Sequence, residues 1–200
     1  MKPSVLFLSL VFLCQSLAAQ VASNVRVSSE DGGPVFATVD GAEKRIAPFG
    51  YKAWLLDEGR AVAYSARGSG GFENEGQTLY LYNAKSGLKH RLFSARFEIT
   101  DVKRAQSAAG KIAYLVSMED GGLGATHIAV IDPARGQVFH QDGARFDGVA
   151  QGTFSVSWYK DEDWEKLRQH AEVAPTKSQR YDLDDLLKPK PPAHKTVGSL

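Results

Sequence analysis

The side chains of this chain best suited to proton transfer or metal binding are five histidines, His90, His127, His140, His170 and His194. They are scattered. None belongs to an H-E-x-x-H helix, the spacing that places two imidazoles on one face of a helix to grip zinc. His90 and His140 each follow a glycine-containing turn, at nearly equivalent places, and would form a metal pair only if their two strands met. Serine chemistry fares no better: Ser69 in "RGSGG" (67–71) has Arg67 where a G-x-S-x-G elbow requires its first glycine. The "GSGG" run (68–71) is not a phosphate cradle, because such a loop opens onto a helix N-terminus, whereas "FENEGQTLYLY" (72–82) is acidic and then strand-like. The expectation is therefore no catalytic residue, no metal and no cofactor. One enzymatic alternative stays open, a hydrolase whose site lies where repeat units meet, built from His127 and acidic residues. The members of a Ser/His/Asp triad need not be neighbours in sequence.

What must position these residues is a repeat. The stretch "NAKSGLKHRLFSARFE" (83–98) echoes as "DPARGQVFHQDGARFD" (132–147), with Asn83/Asp132, Gly87/Gly136 and Ala95-Arg96-Phe97/Ala144-Arg145-Phe146 all 49 positions apart. Upstream, Gly59-Arg60 and Ala63-Tyr64 answer Gly110-Lys111 and Ala113-Tyr114 with one residue of slippage. Each shared residue has a local task. The glycines allow a left-handed turn, the Asn and Asp open that turn by accepting from their own backbone, and the phenylalanines fill space between neighbouring units. A unit of about 50 residues with four short strands has the size of one β-propeller blade, which cannot cover its own faces and must stack.

The elements follow the same logic. "NVRVS" (24–28) is a possible strand in a polar lead-in. Two alternating segments flank Asp40-Gly41 in "PVFATVDGAEKRIAPF" (34–49), a hairpin signal. Short β-type runs continue through "TFSVSW" (153–158), with no βαβ alternation. The reading is all-β: a partial propeller-like stack of about three blades, with a β-sandwich or barrel as the alternative. "DEDWEKLRQHAE" (161–172) predicts a helix with Asp161 as N-cap and Trp164, Leu167 and Ala171 on one face, placed to cover an exposed strand edge. A second amphipathic turn is expected at "YDLDDLL" (181–187), and "KPKPPAHKTVGSL" (188–200) reads as a solvated, disordered tail. The division is a processing signal at 1–18, a β domain at 19–159, a helical segment docking on it at 160–187, and the tail.

The segment "WLLDEGRAVAYSA" (54–66), continued by "LYLYNAKSGLKHRLF" (79–93), resembles the TolB-type, WD-like propeller repeat of exported bacterial proteins. Trp54, Asp57, Gly59, Arg60, Ala63, Tyr64, Asn83 and Gly87 stand in the matching places. Glu58 is an extra residue in the turn, Leu55-Leu56 replaces the usual Ser-Pro, and the second copy lacks the Trp. The resemblance covers about 54–158. It implies a propeller-type fold, which hosts enzymes and scaffolds alike.

Export is expected from the N-terminus. Lys2 precedes the apolar run "VLFLSLVFL" (5–13), too short for the ~20 residues of a spanning helix, and Ser16-Leu17-Ala18 offers small residues at a cleavage site. Cleavage after Ala18 would remove Cys14, so the exported chain would have neither a disulfide nor a thiol nucleophile. It would also remove Lys2 and leave a formal charge of zero, which argues against nucleic acid. A periplasmic or secreted location, no stable membrane insertion after cleavage, and possible homodimerisation are the corresponding expectations. The loops "RGSGGFENEG" (67–76) and "MEDGGLGA" (118–125) occupy the same slot of both repeats, and insertions at one slot emerge on one face. Arg67, Phe72, Glu73, Asn74, Glu75, Met118, Glu119 and Asp120 are thus the candidate binding residues. The functional expectation is a non-catalytic module that binds a protein or glycan. The alternatives are the hydrolase and a structural subunit of an envelope assembly that docks through its helix and tail.

Overall fold

A computed structural model describes residues 20–67, 76–121, 125–169 and 171–189. The expected processing signal, most of the expected tail and the centres of the two candidate binding loops lie outside the described residues. Within them, β-branched and aromatic side chains alternate with polar ones in short runs, and each run pairs antiparallel with its sequence neighbours. β1 (Ala22–Val27), β2 (Gly33–Val39) and β3 (Ala42–Gly50) form the first sheet. β4 (Lys52–Leu56), β5 (Ala61–Arg67), β6 (Gln77–Asn83) and β7 (Lys89–Ser94) form the second. β8 (Glu98–Gln106), β9 (Ile112–Glu119), β10 (Thr126–Asp132) and β11 (Gly136–Asp142) form the third, and β12 (Ala144–Ala150), β13 (Thr153–Trp158) and β14 (Lys177–Asp182) the fourth. Asp40 and Gly41, at φ of 51° and 77°, make the two-residue turn that joins β2 to β3.

The architecture is a propeller-like stack of four separate sheets rather than a sandwich or a closed barrel. The expected number of units, about three, is corrected to four. The terminal sheets have three strands where the inner two have four, so four units fit into the same length. Three apolar clusters run in series between consecutive sheets. Val35, Val39, Val62 and Tyr64 belong to the first, Leu79, Ile99, Val116 and Ile131 to the second, and Leu115, Ile128, Phe154 and Leu183 to the third. Each inner sheet contributes to two clusters, one per face, which is why β6, β9 and β10 carry nearly unbroken apolar runs.

The repeat is structural. Gly87 and Gly136 sit in matching bends at φ of 70° and 82°. Asn83 Oδ1 accepts from the Ser86 N–H at 2.9 Å, and Asp132 Oδ1 from the Ala134 N–H at 2.8 Å. Phe97 and Phe146 are half-buried and pack against successive inter-sheet clusters. A Cβ at either glycine would meet nothing within 4 Å, so substitution there should cost only the left-handed backbone penalty. Gly87→Ala and Gly136→Ala are each expected to lower stability by about 1–2 kcal/mol in urea titrations, by amounts that agree. A clearly unequal pair would show that the two turns are not equivalent.

The C-terminal segment differs most from expectation. Within 161–172 the α-helical part described is Trp164–Arg168 (α1), preceded by a single 3-10 turn at Asp161–Asp163 that Asp161 does not cap with its side chain. The Ala171 N–H turns back to the Lys166 carbonyl, five residues earlier, and ends the helix. α1 buries Trp164 beside Tyr159 and leaves the strand edges to other elements. The next stretch is a strand, β14, followed by the short helical turn expected within 181–187. β14 pairs along the whole of β13, and α2 (Leu183–Leu186), N-capped by Asp182, inserts Leu183 into the third cluster. Arg135 donates to the Leu186 and Lys188 carbonyls and Lys111 Nζ to that of Leu187. Asp184 accepts from the Ala109 N–H. Its carboxyl is held below the ordinary range, first by a hydrogen bond from Ser107, against a smaller opposing effect of desolvation, and then by Ala109 and Lys111. A lowered carboxyl stabilises the fold above its unfolded value and ceases to do so as pH falls through the lowered one.

Candidate functional site

In every sheet the chain crosses to the next at the same end. β3 ends, β4 starts, β7 ends, β8 starts, β11 ends and β12 starts there, so residue 51, residues 95–97 and residue 143 are the crossings. β5 and β9 end, and β6 and β10 start, at this end too, so the described flanks of both candidate slots lie on one rim. A Lys52–Glu98 ion pair at 2.8 Å and a Thr126 Oγ1 hydrogen bond to the Ala144 carbonyl at 2.8 Å tie neighbouring sheets together along it.

Among the described residues, a cleft opens on the rim at each of the three boundaries between sheets. The first, about 340 Å³, is lined by Pro48, Phe49, Tyr64, Arg67 and Tyr80. Burial, then the adjacent Tyr80, pushes the Tyr64 hydroxyl above its usual range. The second, about 350 Å³, is lined by Phe93, Arg96, Phe97, His127, His140 and Asp142. The third, about 150 Å³, lies between Glu119, Thr126, Arg145 and the α1 residues Trp164, Leu167 and Arg168. The candidate residues are thus distributed rather than gathered: Arg67 lines the first cleft and Glu119 the third. Asp120 closes the β9–β10 loop through its N–H to the Ala125 carbonyl. Met118 lines the second cleft, from β9 rather than from the loop. It is a strand residue, 2 % exposed, facing the second cluster, because β9 keeps its pairing through Glu119. Phe72, Glu73, Asn74 and Glu75 lie outside the described residues.

The second cleft holds an arrangement that reading the chain linearly misses. Counting back from the Asp132–Gly136 pair at the hairpin turn, an uninterrupted ladder would oppose His127 to Gln141 and turn His140 and Asp142 to the other face. A β-bulge between Val130 and Ile131 shifts the register by one, so that His127 pairs with Asp142 and Ala129 with His140. One inserted residue exchanges the faces of everything beyond it. His127, His140 and Asp142 therefore share the face toward the second sheet. His127 Nδ1 lies 2.6 Å and His140 Nε2 3.3 Å from Asp142 Oδ1, and one ligand atom from each of the three falls within 4.8 Å of the others. His90, on β7, opposes Leu81 of β6 and is exposed; the histidine beside His140 is His127. The available signal was the H-x-D alternation of "HQD" (140–142) opposite a histidine.

The His127 ring is clamped. Phe97 stacks on it at 4.0 Å between centroids and 14° between planes, Met118 and Asp142 flank it on the adjoining strands, and its Nε2 is buried without a hydrogen-bond partner. A triad histidine presents Nε2 to the nucleophile while Nδ1 bonds the carboxylate. Here the nitrogen free of the carboxylate is the sequestered one, so the His127–Asp142 pair lacks the arrangement of a general base. In the first repeat Thr78 stands 49 positions before His127 and bonds Ser94 across the strands at 3.2 Å. Among the described residues the histidine–carboxylate cluster belongs to the second copy of the repeat alone.

No family model, no curated protein and no solved structure matches the chain.

Proposed function

We propose that the chain is an exported, non-catalytic binding module of the propeller-repeat type, which engages a protein or glycan partner at the rim carrying the 67–76 and 118–125 loops. The observation behind this reading is the coincidence of three inter-sheet clefts with both loop slots at one end of the stack. The clefts combine aromatic walls (Phe49, Tyr64, Phe97) with hydrogen-bonding and charged groups (Arg67, Arg96, Asp142), the mixture of apolar surface and few convergent polar groups that binding sites use. Arginines on the rim broaden the range of partners beyond the basic ones that the acidic loops alone would favour.

The triple variant Glu73→Ala, Glu75→Ala, Asp120→Ala should unfold like the parent yet lose at least about tenfold in affinity for partners captured from an extracytoplasmic extract or on a glycan array, a combined loss of about 1.4 kcal/mol over three rim carboxylates. Capture equal to the parent's would remove this reading.

A further inference from the structure

The structure assigns a site for a late first-row divalent cation, Zn²⁺ being the natural probe, to His127 Nδ1, His140 Nε2 and Asp142 Oδ1 on the paired strands β10 and β11. The inference goes beyond the binding role proposed above and does not depend on it.

Geometry comes first. Four-coordinate zinc with ligands at about 2.0–2.1 Å places its ligand atoms roughly 3.3 Å apart. The His140–Asp142 separation is already 3.3 Å, and the His127–Asp142 pair, now hydrogen-bonded at 2.6 Å, need open only slightly. The remaining edge lies within 4.8 Å and closes by movement of His140, which is exposed on the outer strand. His127 needs no such freedom. Its ring is held between Phe97 and the adjoining strands, so little ordering is left to occur on binding.

Chemistry selects the ion. Two imidazole nitrogens and one carboxylate suit zinc and its neighbours, whereas calcium and magnesium require a shell of oxygens. Three protein ligands leave one position open toward the cleft, the pattern of sites that take a further ligand. Arg96 lines the same cleft with its guanidinium over Phe97. A cation with Arg96 beside it favours an anionic fourth ligand such as a carboxylate. The buried Nε2 of His127 leaves Nδ1 as the only nitrogen of that ring able to face the ion.

The test uses metal alone. The purified full chain, stripped with a chelator and dialysed, is titrated calorimetrically with Zn²⁺, and in parallel with Co²⁺ to record visible absorption. One equivalent of Zn²⁺ and the intense visible bands of four-coordinate cobalt are expected. H140Q and D142N change exposed side chains and should leave the unfolding curve of the metal-free protein in place while weakening binding by about 100-fold or more. H90Q, on the exposed strand β7, should bind like the parent. Failure of the parent to bind stoichiometrically, or H140Q binding as well as the parent, overturns the assignment.

Discussion

A chain ending at Tyr159 is expected to lose its cooperative unfolding transition. The segment beyond that point contributes Leu183 and Leu187, 0 % and 2 % exposed, to the third apolar cluster. It also supplies Tyr181, stacked on Phe154 at 5.3 Å, and the strand β14 that pairs with the whole of β13. Emptying one buried leucine position costs about 2–5 kcal/mol, so two such losses alone approach the 5–15 kcal/mol of an entire domain. The truncation additionally frees a strand edge next to an exposed Phe154 face, which invites aggregation. The full chain should show a single sigmoidal transition by circular dichroism, and the truncated one a broad, weakly cooperative loss or an insoluble product. Leu183→Ala within the full chain should lower stability by about 3–5 kcal/mol. A truncated protein that melts at the parent's midpoint would mean that residues 160–189 merely dock on a complete fold.

The second large effect is expected at Gly59. Asp57, Glu58 and Gly59 occupy three successive left-handed conformations, φ of 52°, 54° and 84°, in the turn between β4 and β5. The turn presses against the start of β1: a Cβ at position 59 would stand 2.0 Å from the Ala22 carbonyl oxygen and 3.0 Å from its carbon. Neither atom belongs to a flexible side chain, so Gly59→Ala must push β1 away and unseat Ala22, which is buried in the first cluster. To the left-handed penalty of about 1–2 kcal/mol is added the loss of that contact, for a total of roughly 3 kcal/mol or more. Gly87→Ala carries the backbone penalty without the collision, and the difference between the two in urea titrations isolates the sheet-to-sheet contact. Equal costs would refute the close approach.

The parts of this fold legible in the chain are those fixed by short-range rules. Asp40-Gly41, Gly87 and Gly136 mark turns because few residues accept their backbone, and Asn83 and Asp132 bond as their side chains dictate. The all-β class follows from alternation. β14 escaped because "KSQRYD" carries no apolar alternation. Its residues are exposed except for the half-buried Tyr181, and the strand is held by backbone bonds to a neighbour about 20 residues earlier. With β14 hidden, the fourth unit was hidden too. The "DEDWEKLRQHAE" pattern is helical in character, but a helix of this length is marginal without packing, and among its expected apolar contacts only Trp164 is buried. The two loop slots were visible through the repeat, whereas the His127, His140 and Asp142 cluster was not. Its existence depends on one bulge in β11, a feature of pairing that composition does not announce.

Each half-core of this molecule is made by two consecutive units and by nothing more distant. A chain organised in this way can be lengthened or shortened by duplicating one inner unit, since the newcomer presents to both sides the faces its parent already presented. The three-stranded ends are what must be preserved, and they are also where the 49-residue echo fades. Divergence within an inner unit is correspondingly tolerated, provided it falls on the rim. That is where the paired Thr78 and Ser94 of one unit stand at the places that His127 and Asp142 take in the next, leaving room for the copies to acquire different chemistries without disturbing how they are held.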